Sequence, residues 1–200
     1  MLYFTCVFED LPTYSVMEKM LAPYSDKCSI TRQFNCYGNG KIRKQINAYN
    51  MASLHAPFFV ITDLDTTECA PSLIEDWFTE AQNPLMLFRV AVREIESWIM
   101  ADKNNFAAFM AVKRDLLPAN PDNLADPKNE LLSIAKKSRN RNIREAFVPI
   151  DETAKTGPLY NERLMYFVEN HWDIQKAKQY SPSLNKAWIA LEKYMERNHA

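Results

Sequence analysis

Glycine and histidine are both scarce in this sequence, with three of each among 200 residues. So little glycine argues against a glycine-rich phosphate loop, and neither G-x-x-x-x-G-K-[S/T] nor G-x-G-x-x-G occurs. His55, His171 and His199 are too scattered for the usual spacing of zinc ligands, and H-E-x-x-H is absent. The common nucleotide-binding and zinc-hydrolase motifs are therefore excluded.

Long apolar runs and closely paired cysteines are missing as well. No run approaches the ~18 apolar residues of a membrane-spanning helix, and the N-terminus lacks the basic start of a signal peptide. The four cysteines, Cys6, Cys28, Cys36 and Cys69, form no C-x-x-C pair, so we expect reduced and mostly buried thiols. These features predict a cytoplasmic protein without membrane association.

The composition suits a globular domain with a sizeable core, because 47% of the residues are hydrophobic and 12% are aromatic. The formal net charge is −1. Overall charge therefore gives no drive toward nonspecific nucleic-acid binding, although a local basic patch is compatible with it.

Predicted strands and helices alternate through the first half of the chain. The strands are predicted at residues 2–8, 29–36, 58–62 and 85–92, and the helices at residues 14–21, 41–54, 71–81 and 93–112. This alternation is typical of an α/β fold with a mostly parallel sheet, similar to a Rossmann fold. The run Phe58-Phe59-Val60-Ile61-Thr62 is apolar throughout, as in a central strand covered on both faces.

The pattern changes after Pro118, where further helices are predicted at 128–136, 160–170 and 183–197. We therefore expect an α/β core over residues 1–117. A mostly helical C-terminal extension, residues 118–200, should pack on that core. Asp102, within the predicted helix 93–112, is expected to be exposed.

Three acidic residues follow predicted strands. Glu9 comes after the first strand, and Asp63 and Asp65 end the most apolar one. The carboxyl ends of parallel strands meet at one edge of a sheet, and continued extension would place Asp63 and Asp65 on the same side with Leu64 turned away. Such oxygen-rich sites suit Mg²⁺ or Mn²⁺. The alternative is that these acids cap the following helices.

Glu96 and Arg93 lie three residues apart at the start of a predicted helix, so they should be neighbours on one face. Glu96 would then point into the same edge as Asp63 and supply a further ligand. The alternative is an exposed acid that is stabilised by the helix dipole.

A basic run could contact phosphates. It comprises Lys136, Lys137, Arg139 and Arg141, and Arg144 makes it five cations in nine residues. The alternative is a solvated helix face or loop. Lys155, in a polar loop, would either neutralise a phosphate or be an ordinary surface lysine.

A strand-end glutamate followed by an α/β interval and a strand ending in D-x-D resembles the Toprim fold of topoisomerases, primases and OLD-type nucleases. The resemblance implies that Glu9, Asp63 and Asp65 bind Mg²⁺ or Mn²⁺ for phosphodiester chemistry. The stretch from Val92 to Asp102 resembles the R-E-x-E-x-W-hydrophobic-x-A-D signature of a bacterial Toprim-like family. In that family's pattern, Glu96 is a further acidic site residue and Arg93 its companion.

The resemblance implies a metal-dependent nuclease that cleaves DNA or RNA. Genes of this family often neighbour an ABC-type or OLD-like ATPase in phage-defence pairs, so it also implies an ATPase partner and a homo- or hetero-oligomer. Two alternatives stay open. Asp10 stands where the family has glycine, which motivates a noncatalytic Toprim-like module that binds the ATPase. The near-neutral charge motivates a small-molecule phosphohydrolase.

Overall fold

Four parallel strands form one sheet in the order β2-β1-β3-β4 in the computed structural model, which describes residues 1–151 and 153–198. The strands are β1 (Leu2–Phe8), β2 (Cys28–Asn35), β3 (Phe58–Asp63) and β4 (Met86–Ala91). The α/β class and the parallel sheet are therefore confirmed. The order places β1 and β3 side by side at the centre.

Helices connect the strands and continue after β4. Those between strands are α1 (Leu11–Leu21), α2 (Asn39–Ala52) and α3 (Ala70–Trp77). Those after β4 are α4 (Ile95–Met100), α5 (Lys103–Phe109), α6 (Pro127–Lys136), α7 (Arg141–Phe147), α8 (Tyr160–Asn170), α9 (Ile174–Ala177) and α10 (Pro182–Asn198). Within the described part of the chain, none of these helices has the length and apolar character to cross a membrane.

The sheet separates two hydrophobic clusters, and β3 contributes to both. Its residues Phe59 and Ile61 belong to the larger cluster, whereas Phe58 and Val60 belong to the smaller one. Successive side chains of a strand point to opposite faces, so a strand that is covered on both sides must be apolar throughout. The interpretation of residues 58–62 as a central strand is confirmed.

The predicted long helix over residues 93–112 is wrong. The chain forms two short helices, α4 and α5, separated at Asp102. Asp102 caps α5 and also accepts hydrogen bonds from the Asn105 side chain (2.7 Å) and the Asp173 amide (2.8 Å). The expectation that Asp102 is exposed is also wrong, because only 1% of it is accessible.

The first helix begins earlier than the apolar spacing predicted. Residues Leu11-Pro12-Thr13 form its first turn, because Asp10 caps it by accepting from the Thr13 amide at 3.0 Å. Proline is well tolerated in a first helical turn.

The helices after residue 118 share the larger hydrophobic cluster with the sheet. Leu164 and Phe167 of α8 and Trp188 and Leu191 of α10 are members of it. The last helix also bonds the chain beside β4, since the Tyr194 hydroxyl donates to the Leu85 carbonyl at 3.2 Å. The short helices α7 and α9 were not predicted.

Candidate functional site

The carboxylate of Glu9 lies against the end of β3. Its Oε1 accepts hydrogen bonds from the Thr62 hydroxyl (2.6 Å) and from the backbone amide of Asp63 (2.8 Å). Glu9 directly follows β1, and Asp63 is the last residue of β3. After β1 the chain continues to β2 at one edge of the sheet, and after β3 it continues to β4 at the other edge. In open α/β sheets, ligands bind at such a switch point, at the carboxyl ends of the strands.

Asp63 is oriented from the opposite direction, by the start of α4. Its Oδ1 accepts from the Ile95 amide at 2.9 Å, and its side chain is buried. Within residues 1–151 and 153–198, the second oxygens of Asp63 and Glu9 have no hydrogen-bond donor. Each carboxylate is therefore fixed by one oxygen and keeps the other free for a ligand.

Glu96 is the most deeply buried acid of the group, with 1% of its surface accessible. Its Oε1 accepts from the Tyr160 hydroxyl at 2.9 Å and lies 3.4 Å from the ammonium nitrogen of Lys128. Its Oε2 is buried and has no partner among the described residues. A buried carboxylate oxygen without a donor is costly, so the charged form of Glu96 is only partly stabilised by its surroundings. Glu9, Asp63 and Glu96 are called the acidic edge below.

The carboxyl groups of the acidic edge resist ionisation. Burial raises the pKa of Glu9 to about 7, although the hydrogen bonds from Thr62 and Asp63 act in the opposite direction. Burial raises the pKa of Glu96 to about 7 as well, despite the nearby charge of Lys128. Burial, followed by the charges of Glu9 and Glu96, raises the pKa of Asp63 well above its usual value. Burial is the largest cause in all three cases, and the charges of neighbouring acids add to it.

Lys128 is the cation closest to these acids, and the sequence reasoning did not select it. Burial disfavours its charged form, but the carboxylates of Glu96 and Glu94 outweigh that effect and raise the pKa of Lys128. Its backbone amide also donates to Glu94 at 2.8 Å. The signal available in the sequence was Asp126-Pro127, a capping residue and a first-turn proline that place Lys128 at a helix start.

Asp65 does not follow the extended geometry that was expected. The strand ends at Asp63, and the backbone of Asp65 adopts a positive φ of 49°. Its Oδ2 accepts from the side-chain Nδ2 of Asn39, and Leu64 is buried in the smaller cluster. The prediction that Asp63 and Asp65 share one side of a continued strand is therefore wrong. Asp65 instead lines a cavity of about 320 Å³ together with Glu94 and Asp126.

Arg93 binds backbone carbonyls of the loop after β3. Its Nη1 donates to Asp65 at 3.1 Å and to Thr67 at 2.6 Å. The carbonyl of Arg93 in turn accepts from the amides of Leu64 and Asp65, at 2.9 and 3.0 Å. These contacts hold the loop that carries Asp65. The predicted contact between Arg93 and a phosphate stays a prediction.

The backbone at Asp10 places no demand for glycine. Its φ is −149°, an extended conformation that any residue adopts, and its carboxylate caps α1. Aspartate at this position therefore leaves the path of the chain after Glu9 unstrained.

The basic run lies at the far end of α6 from Lys128. Lys136 ends this helix eight residues after Lys128, which is about 12 Å at 1.5 Å per residue. Lys136, Lys137, Arg139 and Arg141 are exposed, and Arg141 forms an ion pair with Glu145 at 2.6 Å. Lys155 is exposed in the loop before α8. None of these five residues forms a hydrogen bond or ion pair with the acidic edge in the part of the chain that the structure describes.

The acidic edge fits an ion that keeps part of its water shell, such as Mg²⁺, better than an ion that is enclosed by protein ligands. Over residues 1–151 and 153–198, no three Asp, Glu, His or Cys side chains are grouped closely enough to enclose one ion. Mg²⁺ usually keeps several water molecules and takes one or two carboxylates plus a substrate phosphate. The free oxygens of Glu9 and Asp63 match that pattern.

No family model, curated protein or solved structure matches this chain.

Proposed function

We propose that this chain is a Toprim-type, metal-dependent phosphodiester hydrolase that acts on DNA or RNA together with a partner ATPase in antiphage defence. The observation that carries the proposal is the pair of carboxylates Glu9 and Asp63. They follow the two central strands of a parallel sheet, at its switch point, and each keeps one oxygen free.

The charge balance at the acidic edge supports a cation there. Acids whose pKa values are strongly raised often mark functional sites, and Glu9, Asp63 and Glu96 are three such acids. A divalent cation held by Glu9 and Asp63 would supply Lewis-acid stabilisation of a phosphate and would lower the pKa of a water molecule.

The residues around the pair have distinct roles in this proposal. Thr62 and the Asp63 amide fix the direction of Glu9, and the Ile95 amide fixes Asp63. Glu96 would add negative charge beside the pair from a buried position, where Tyr160 and Lys128 contact one of its oxygens. The Lys128 side chain is 36% exposed, so its ammonium group also reaches solvent, where it can contact a phosphate oxygen.

Nucleic acid would reach the site with little help from overall charge. The net charge is −1, so phosphate contacts must come from local cations. Three exposed cations lie at the C-terminal end of α6 or just after it. Lys136 is the last residue of the helix, Lys137 caps it, and Arg139 follows. The ATPase partner rests on the family resemblance of the stretch from Val92 to Asp102, and it would supply further contacts.

The test is a cleavage assay on labelled single- and double-stranded DNA and RNA, with Mg²⁺ or Mn²⁺ and with the partner ATPase. We expect Asp63→Asn to reduce cleavage by about 100-fold or more, since it removes a charged ligand without changing shape. Asp115→Asn is the matched control, because Asp115 is an exposed acid in the short helix Arg114–Leu116. Equal cleavage by wild type and Asp63→Asn would contradict the proposal.

The absence of a three-ligand cluster in the described part of the chain favours a second candidate, a noncatalytic module that binds the ATPase. Calorimetry with Mn²⁺ separates the two. No binding heat at millimolar Mn²⁺ supports the module, whereas binding that Asp63→Asn removes supports the hydrolase. Turnover of a generic phosphate monoester without cleavage of any polymer would instead indicate a small-molecule phosphohydrolase.

A further inference from the structure

A second cavity lies on the outer side of β4, away from the acidic edge. It has a volume of about 360 Å³ and is bounded by β4, α3, α10 and the segment 120–123. Its size falls in the range of small-molecule sites, about 300 to 1,000 Å³. It is called the β4 cleft below.

The walls of the β4 cleft combine an apolar surface with a few polar groups. Ile74, Phe88, Val90, Val92 and Ala187 supply the apolar part. Arg89, Lys186, Asn120 and Asn123 supply donors. An apolar lining with a small number of placed polar groups is typical of sites for small organic ligands.

Arg89 and Lys186 are the two cations of the β4 cleft. Neither Arg89 nor Lys186 forms an ion pair with any acid in residues 1–151 and 153–198. Asp122 is the one carboxylate in the lining, and both of its oxygens already accept hydrogen bonds from other residues. Its two oxygens accept from the Ser181 hydroxyl (2.6 Å) and the Ser183 amide (2.7 Å).

Arg89 is the unusual member of this set, because it is a half-buried arginine on a strand. Its Nε donates to the neighbouring Phe88 carbonyl, and its other nitrogens have no acceptor among the described residues. Burial lowers the pKa of Arg89, which shows that its charge is poorly compensated. A guanidinium presents paired donors that match a carboxylate or a phosphate.

Protection of a sheet edge does not account for Arg89. Inward-pointing charges on edge strands discourage pairing with other chains, but α10 already covers this edge. The Ser183 hydroxyl accepts from the Val92 amide at 3.4 Å, and Arg197 donates to the Pro84 carbonyl at 2.7 Å. Both ends of β4 are therefore tied to α10, so Arg89 is not needed to prevent pairing with another chain at this edge.

We infer that the β4 cleft binds a small organic anion, in which a phosphate or carboxylate head contacts Arg89 and Lys186 and an apolar or aromatic body lies against Ile74 and Val92. Asn120 and Asn123 provide amides for polar groups on that body. The Oδ1 of Asn120 accepts from the Asp122 amide at 3.1 Å, so its NH₂ group is the part left for a ligand. This site is separate from the acidic edge and does not depend on the proposed function.

Calorimetry on the full chain tests the inference with four probes: adenosine monophosphate, adenosine, inorganic phosphate and an aromatic carboxylate such as 1-naphthoate. We expect at least one of the two amphipathic anions to bind at least tenfold more tightly than both adenosine and phosphate. The tighter of the two identifies the head group. The inference is overturned if neither anion binds at millimolar concentration, or if adenosine binds equally well.

Substitutions locate the binding. Arg89→Met keeps the length of the side chain and should weaken binding by at least tenfold, and Lys186→Gln should weaken it severalfold. Lys193→Gln, at an exposed lysine of the same helix outside the cleft, is the control and should change nothing. If Arg89→Met does not fold, Lys186→Glu replaces it, and unchanged affinity there overturns the inference. Asp63→Asn should retain full binding, which separates this site from the proposed hydrolase.

Discussion

Glu9 and Asp63 are joined by a hydrogen bond of 2.8 Å from the backbone amide of Asp63 to the Glu9 carboxylate. The two residues are 54 positions apart in the chain, and they meet because β1 and β3 are neighbours in the sheet. The backbone amide of Asp63 therefore orients the Glu9 carboxylate, and the Ile95 amide orients the carboxylate of Asp63 itself. A substitution at either residue should therefore alter the orientation and the pKa of the other carboxylate.

Thr62→Val should disturb Glu9 without changing the shape of β3. The substitution removes the 2.6 Å bond from the Thr62 hydroxyl to the carboxylate, so the charged form of Glu9 loses a donor. We expect the pKa of Glu9 to rise above about 7 and metal-dependent cleavage to fall by about tenfold. An NMR titration of the glutamate side chains and the cleavage assay measure the two effects.

Thr5→Val is the matched control for this substitution. Thr5 is a buried threonine on the neighbouring strand β1, and its hydroxyl bonds no carboxylate of the described residues. Its replacement should leave the pKa of Glu9 in place. An unchanged pKa in Thr62→Val would show that the hydroxyl does not stabilise the charged form of Glu9.

The metal-free protein should lose stability as the pH rises from about 4.5 to about 7. The pKa of Glu9 and of Glu96 moves from its usual 4.5 to about 7 in the folded chain, and that of Asp63 also rises. The folded state then binds more protons than the unfolded state over this range, so the free energy of unfolding falls with rising pH. The fall should amount to a few kcal/mol, since one pKa unit corresponds to ~1.4 kcal/mol.

Urea denaturation in EDTA at pH 5, 6, 7 and 8 measures this dependence. Mn²⁺ should reduce the decline, because a bound cation compensates the ionised carboxylates. Asp63→Asn should also reduce it, because one of the repelling acids is gone. A free energy of unfolding that stays constant or rises over this range would show that the carboxyl groups titrate normally.

Lys128→Met should destabilise the protein at pH 8 but have little effect at pH 5. At the higher pH Glu96 is ionised and buried, and the substitution removes the only cation within 4 Å of it in the described part of the chain. The expected cost is about 1–2 kcal/mol, because partial exposure of Lys128 lets water weaken the pair. At the lower pH Glu96 is protonated and needs no cation. Chemical denaturation at both pH values gives the difference.

Lys176→Met provides the comparison for Lys128→Met. Lys176 pairs with Asp173 at 3.4 Å, the same separation as Lys128 and Glu96, but both side chains are well exposed. Exposed pairs contribute ~0.2–1 kcal/mol. Equal losses in the two variants at pH 8 would mean that the burial of Glu96 is energetically unimportant.

Lys136→Gln should reduce the salt dependence of nucleic-acid binding. Each phosphate contact contributes about 0.7 to 0.9 to the slope of log affinity against log salt, so losing one contact lowers the slope by that amount. Arg141→Gln should change it less, because Arg141 is already paired with Glu145 at 2.6 Å. Fluorescence anisotropy with a labelled oligonucleotide at several salt concentrations measures both slopes. Identical slopes in the two variants and the wild type would remove the basic run from the interface.

The strands and their parallel arrangement could be predicted because they depend on local periodicity, whereas the strand order was not predicted. The strands alternate with amphipathic helices, and the apolar run from Phe58 to Thr62 marked a strand buried on both faces. Helix ends were less predictable. Asp102 stands between α4 and α5 as the cap of α5, and it also bonds the Asp173 amide, 71 residues away, a contact that no local pattern predicts.

The sequence by itself determined the α/β class, the parallel sheet and the position of Glu9 and Asp63 at strand ends, because these follow from residue spacing along the chain. Only the tertiary structure decided which partners those acids have. It places Asp65 outside the strand geometry, brings Lys128 and Tyr160 to Glu96, and leaves Arg89 without an ion pair among the described residues. Hydrogen bonding and burial between distant segments set these environments, and such contacts have no signature in local sequence.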